Sequence, residues 1–147
     1  MEFPTPDTLA KGVLHDALTM TLAVADEDGP WVAPLVFINP ENYDICWISL
    51  PSTRHSLALA KSPRAAFSIV ASDDTTSERA LQISARVEKI DGPNLAWEQM
   101  LERKRGLAVP ESAGEILDKG FDWYRARPDA MYLTHLERYG FDRKRVV

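Results

Sequence analysis

The residues best suited to chemistry stand together in LPSTRHSLALAK, where Ser52, Thr53, Arg54 and His55 fall between a predicted strand end and the first turn of a predicted helix. Serine and threonine ahead of an apolar helical run act as caps, because their hydroxyl oxygens accept from N–H groups that have no partner inside the helix. A cation in that first turn works against the partial positive charge of the helix N-terminus unless an anion stands in front of it. Hydroxyls, free N–H groups and a guanidinium are the parts of a phosphate site, so the cluster is a candidate anion site. Ser49, closing the preceding strand, and Gln82 and Ser84, on the polar face of a later one, extend the set of polar groups toward an anion and a polar ring edge. An ordinary helix cap with a cation beside it reads the same residues as well, and spacing alone does not choose between the two.

Other chemistries find no support. The sequence has no P-loop, no G-x-G-x-x-G, no nucleophile elbow and no H-E-x-x-H. His15, His55 and His135 fall on different predicted elements without ligand spacing, so no metal site is expected. Asp73-Asp74 and Glu27-Asp28 read as loop charges, not as a carboxylate pair for acid-base work. Cys46 is the one cysteine, which excludes an intrachain disulfide and a thiolate cage, and its place inside DICWISL predicts a buried, inert thiol. A net charge of −5 and a pI near 5.2 argue against a nucleic-acid-binding face. MEFPTPDTLAKGVLHDA has no basic leader region, and no stretch approaches the roughly 20 apolar residues of a membrane span. The expectation is a cytoplasmic protein with neither membrane nor nucleic-acid partners.

The elements that must position these residues follow from the hydrophobic pattern. The length of 147 residues predicts a single domain over 1–147 with a core of its own. TLAKGVLHDAL, capped by Thr5 or Asp7, predicts a first helix; TMTLAVAD and WVAPLVFIN predict a hairpin about an EDGP turn. Pro34 inside the second strand cannot donate to a ladder, which predicts an edge, a bulge or a backbone that faces a ligand. DICWISL, RAAFSIVAS and ALQISARVEKID predict three further strands, with SLALAK a short helix between the first two and SDDTTSER a polar loop. LAWEQMLERKR and ESAGEILDKG predict two later helices, and after FDWYRARPD the run AMYLTHLE predicts a last strand. Strands early and helices late make an α+β chain, mainly β, in which an antiparallel sheet or small barrel carries peripheral helices.

In that order the pieces resemble the pyridoxamine 5'-phosphate oxidase-like proteins with the FMN-binding split β-barrel, over most of the chain. TMTLAVADEDGPWVAPLVFI resembles the first hairpin of that family, ICWISLPSTRHSLALAKSPRAAFSIV its strand, phosphate loop and helix, and ALQISARVEKI its Q-x-x-G-x-A/V-E-x-I strand. RPDAMYLTHLERYGFDRKR is similar to the tail of a small branch of the superfamily that ends in a comparable G-F segment. The resemblance implies a homodimeric flavoprotein, an FMN-dependent oxidoreductase that transfers hydride to or from a small-molecule substrate. It implies that Arg54 holds the FMN phosphate, with Ser52 and Thr53 beside it and His55 where the family's oxidases have lysine. It further implies that Ala33, Pro34, Leu35 and Val36 lie against the flavin ring, and that Trp47, Ile48 and Ser49 line the phosphate and ribityl side. Gln82 and Ser84 would approach across the dimer interface. The arginine and lysine that the oxidases place on the second strand have no counterpart in WVAPLVFI, which leaves two alternatives open: a flavin- or haem-binding module without turnover, haem requiring a histidine such as His135 or His55, and a deazaflavin-dependent reductase.

Overall fold

The computed structural model describes residues 4–71 and 78–147. Most of the predicted polar loop at 72–79 lies outside the described residues. In β1 (Thr19–Asp26) Met20, Leu22 and Val24 are buried while Thr19, Thr21 and Ala25 are exposed, the period of two that a half-buried strand requires. β1 pairs with β2 (Gly29–Val36) in register from Asp26↔Gly29 to Thr19↔Val36. The tight turn needs positive φ, and Gly29 takes it at 107° without a Cβ to clash.

β3 (Ile45–Ser49), β4 (Arg64–Val70), β5 (Arg79–Ile90) and β6 (Asp122–His135) join this hairpin in an antiparallel sheet of order β2-β1-β4-β5-β6-β3, with β7 (Lys144–Arg145) added on β6. Beyond β2 the chain makes one more bridge, Ile38↔Cys46, whose two N–H···O bonds of 2.8 and 2.9 Å bring the first strand in the path back to the last. The sheet thereby curls into a ring.

Trp47, Phe67 and Tyr124 fill the interior with Leu22, Ile69, Leu81 and Met131. Trp47 stacks on Tyr124 with centroids 5.7 Å apart and meets Phe67 edge-on at the same distance. α1 (Pro6–Asp16), capped by Thr5 Oγ1 accepting from Thr8 N–H, covers the core with the fully buried Ala10, Val13 and Leu14. α3 (Leu95–Arg105) covers a second cluster, in which Leu101 packs with Ile38, Cys46 and Trp123. Burial pushes the Cys46 thiol up to about 12, as expected for an inert cysteine.

Two predicted elements differ from the structure. Only Leu117–Lys119 of the helix expected over 111–120 is helical, as a single 3-10 turn. The buried Glu98 carboxylate of α3 takes N–H donors from Gly114 at 3.0 Å and from Ile116 at 3.4 Å, and Gly114 has φ of 101°, so the start of the segment is wound about a side chain, and only from Asp118 onward do its N–H groups return to its own carbonyls. FDWYRARPD is not a connection: from Asp122 it is the first half of β6, because Tyr124 and Ala126 bury one face of it inside the ring and Trp123 buries the other in the second cluster. Pro128 is tolerated there beside a β-bulge, where the register against β5 shifts between Ser84 and Ala85.

Candidate functional site

β3 ends at Ser49, and after four connecting residues the chain enters α2 (Arg54–Lys61). Thr53 is the N-cap: its Oγ1 accepts from Ser56 N–H at 3.2 Å, and its carbonyl accepts from Leu57 N–H at 2.9 Å. The N–H groups of Arg54 and His55 therefore have no acceptor within the helix and are available to a ligand. Ser52, exposed in the turn, adds a hydroxyl.

His55 points the other way. Its ring is buried, with Nε2 2.8 Å from Ser49 Oγ and 3.3 Å from Thr53 Oγ1. Burial holds its pKa below the ordinary 6.5, so the imidazole is neutral at neutral pH and Nε2 can accept the Ser49 hydroxyl proton. This bond ties the last residue of β3 to the first turn of α2, making His55 a residue that positions the loop without adding charge to it.

Arg54 is half-buried and held on one side. Its Nε donates to Asp26 Oδ2 at 2.7 Å and its Nη2 to Asp26 Oδ1 at 2.9 Å, while the guanidinium carbon lies 4.4 Å from the centroid of the Trp31 ring. The hydrogen bonds from Arg54 hold the Asp26 carboxyl below its usual range. Lys61, in the last turn of α2, bonds Glu27 at 2.8 Å, so both ends of the helix grip the tip of the β1–β2 hairpin. The two first-turn N–H groups, the Ser52 hydroxyl and the remaining Nη1 of Arg54 fit a terminal phosphate as donors. Against it stands the Asp26 carboxylate, which already balances much of the arginine's charge.

The other residues expected at the site divide by position. Pro34, Leu35 and Val36 lie on β2, the end strand of the sheet path, where the missing N–H of Pro34 costs little; Ala33 is buried. The Trp47 side chain is wholly inside the ring, leaving only its backbone to line a cleft, and Ile48 faces the second cluster under α3. Gln82 and Ser84 share the outer face with Pro34 but stand three strands from it, in the row Pro34, Thr21, Ser68, Gln82. At roughly 4.8 Å per strand that is about 14 Å within one protomer. Gln82 accepts from Arg143 at 2.5 Å, and Ser84 accepts from Arg64 at 3.1 Å. The structure thus gathers Ser49, Ser52, Thr53, Arg54 and His55 and sets Gln82 and Ser84 apart. It also adds Asp26 and Trp31, which no local pattern singles out, since their contact with Arg54 spans 28 residues for Asp26. Among the described residues no group of His, Cys, Asp and Glu is placed to hold a metal ion, and no helix is long and apolar enough to cross a membrane.

This curled antiparallel sheet, with helices on its outside, is the split-barrel fold of the pyridoxamine 5'-phosphate oxidase-like proteins. No protein-family model matches the chain, and no curated protein does. Among solved structures it is similar to the conserved hypothetical protein Rv2991 from Mycobacterium tuberculosis, at 15% identity over 99% of this chain and 98% of that one, with a TM-score of 0.74. A Listeria innocua protein named for pyridoxamine 5'-phosphate oxidase matches 84% of this chain and 94% of its own at 13% identity and a TM-score of 0.63. The heme binding protein from Mycobacterium smegmatis matches the whole of this chain at 17% identity and a TM-score of 0.70, and the chain spans 60% of that protein's length. At these identities the likeness is one of fold.

Proposed function

We propose that the chain is an FMN-binding protein that acts as a homodimer and serves as an oxidoreductase on a small molecule. The observation that carries this reading is the first turn of α2: two N–H groups without helical acceptors, a capping Thr53, an exposed Ser52 and the Arg54 guanidinium together at the end of β3. An anion before a helix N-terminus is stabilised by the donors and by the dipole alike. The names of structurally similar proteins, one for pyridoxamine 5'-phosphate oxidase and one for heme binding, favour a large planar cofactor over a simple phosphate. His55, one of the two histidines a haem would use, has its Nε2 engaged by Ser49, which favours the flavin.

FMN, when bound, supplies hydride chemistry at its ring. The chain's part is to hold and orient: Arg54, Ser52, Thr53 and the first-turn N–H groups grip the phosphate, and the backbone of Ala33–Val36 lies along the ring. Gln82 and Ser84 reach the site from a second copy docked on the outer sheet face, at the centre of which lie the small side chains of Thr21, Ala66 and Ser68. Titration of the purified protein with FMN, read by quenching of flavin fluorescence, tests the reading. Arg54→Ala should weaken FMN by roughly ten-fold or more while leaving riboflavin, which lacks the phosphate, unchanged. Absence of FMN binding to the wild type removes the proposal; equal FMN affinity in Arg54→Ala removes Arg54 from the phosphate. Bound FMN that neither NADH nor NADPH reduces would make the protein a carrier and not a reductase fed by those donors.

A further inference from the structure

Away from α2, a cavity of about 330 Å³ opens between the last turn of α1, the segment following β2 and the C-terminal half of α3. Leu14, Ile38 and Met100 give it apolar walls, and His15, Asn39, Arg103 and Lys104 give it polar ones. Lys104 is half-buried, with Nζ 3.7 Å from the centroid of the buried Phe37 ring and a long 3.4 Å hydrogen bond to the Leu14 carbonyl. Neither Lys104 nor Arg103 meets a carboxylate among the described residues. The nearby acids are engaged elsewhere: Asp16 of α1 by Arg79 at 3.0 Å and by His15 at 3.1 Å, and Glu102 of α3 by Arg105 at 3.1 Å. The segment 37–39 carries no titratable group.

A desolvated ammonium is costly unless an opposite charge accompanies it, and here the fold provides an aromatic face and a carbonyl but no anion. Burial accordingly pushes the Lys104 pKa down to about 8. Apolar walls beside two adjacent cations complement a molecule with an acid head and a hydrocarbon body, and the volume lies at the lower end of the range for small-ligand sites. We infer that this cavity binds a small amphipathic carboxylate, its acid group at Lys104 Nζ and Arg103 and its chain against Leu14, Ile38 and Met100. The site shares no residue with the flavin site and stands whether or not the chain binds FMN.

Sodium octanoate, titrated calorimetrically into the full chain without flavin, is the test. Saturable one-to-one binding is expected at pH 7. It should weaken roughly ten-fold or more by pH 9.5, because the free amine loses its proton near 8 and the anion needs the protonated form. Lys104→Met should lose binding by a similar factor and lose the pH dependence; Lys104→Arg should keep the binding and hold it at pH 9.5. Octylamine, with the same chain and the opposite charge, should not bind. Equal octanoate affinity in Lys104→Met, equal binding of octylamine, or no saturable octanoate signal overturns the inference. Should Lys104→Met fail to fold by circular dichroism, the wild type decides alone: affinity unchanged between pH 7 and 9.5 overturns it.

Discussion

The guanidinium of Arg54 has two claims on it, the Asp26 carboxylate at 2.7 Å and any anion that stands before α2. A phosphate arriving there must share the arginine with a fixed negative charge, so Asp26 lowers the affinity of the site. Asp26→Asn keeps the shape and the hydrogen-bond acceptor while removing the charge, and should tighten FMN binding several-fold in a fluorescence titration beside wild type; an unchanged or weaker affinity would show that Asp26 does not compete. His55 makes a different prediction, because its folded pKa is depressed by burial. The unfolded chain takes up a proton at His55 near 6.5 while the folded chain resists it, so its contribution to stability is present above 6.5 and is lost as pH falls below it. Urea midpoints between pH 8 and pH 5 should fall for wild type, and should fall less for His55→Asn, which retains polarity without the titration. The cluster at 52–55 was legible in the sequence because caps and helix starts are local signals. The roles of its members were not, since a buried neutral His55 and an already paired Arg54 depend on side chains brought in by β1 and β3.

Among the elements, α3 and the segment after it depend on one carboxylate. Glu98 is fully buried, and its oxygens take both Gly114 N–H contacts, at 3.0 and 3.1 Å, together with that of Ile116. Its neighbours on α3 mark the same face as core, so periodicity places Leu101 correctly, but periodicity reads only apolarity and passes over a buried acid. Glu98→Ala leaves these N–H groups without their acceptor and should cost about 1.5–3 kcal/mol in a denaturant unfolding curve, the range for hydrogen bonds to a charged group. Hydrogen exchange at Gly114 and Ile116 should accelerate in the same variant, and exchange left as in wild type would show that the segment holds itself. The β1–β2 hairpin lies at the opposite pole of legibility. Its alternation and its glycine turn are both written within 18 residues: β1 coincides with TMTLAVAD, while β2 begins two residues ahead of the expected WVAPLVFIN and ends at Val36. β6 was half hidden because its first part buries two aromatics among arginines, and Pro128 reads as a break unless the bulge opposite it is known.

At the level of the whole molecule, the outer face of β1, β4, β5 and β6 presents small side chains in register, Ala23, Ala66, Ser84 and Ala130 in one row, and Thr21 and Ser68 in the next, which ends on Gln82 and Tyr132. We propose that this face, with small side chains at its centre and Arg64, Arg143 and Arg145 bonded to Ser84, Gln82 and Tyr132 at its margin, seats a second copy of the chain. Ala66→Glu leaves the isolated fold intact because Ala66 is exposed, and it should convert a dimer to a monomer in sedimentation velocity and weaken FMN with it; a wild-type chain that sediments as a monomer would dispose of the dimeric site. That Gln82 shares an outer face with Pro34 three strands away is beyond any reading of local pattern, because it requires the pairing order of β2, β1, β4 and β5. The ring itself carries one more consequence. It is latched at Ile38 and Cys46 by two hydrogen bonds, whereas β5 and β6 face each other over twelve paired positions. Such a construction behaves as a spring clip and not as a hoop: released at the latch, the β1–β2 arm can tilt outward on a standing wall of β4, β5 and β6. Amide exchange at Ile38 and Cys46 should accordingly outpace that at Leu81 and Leu133, and the gape between Pro34 and Ser49, the width available to a planar guest, would be set by how firmly that latch holds.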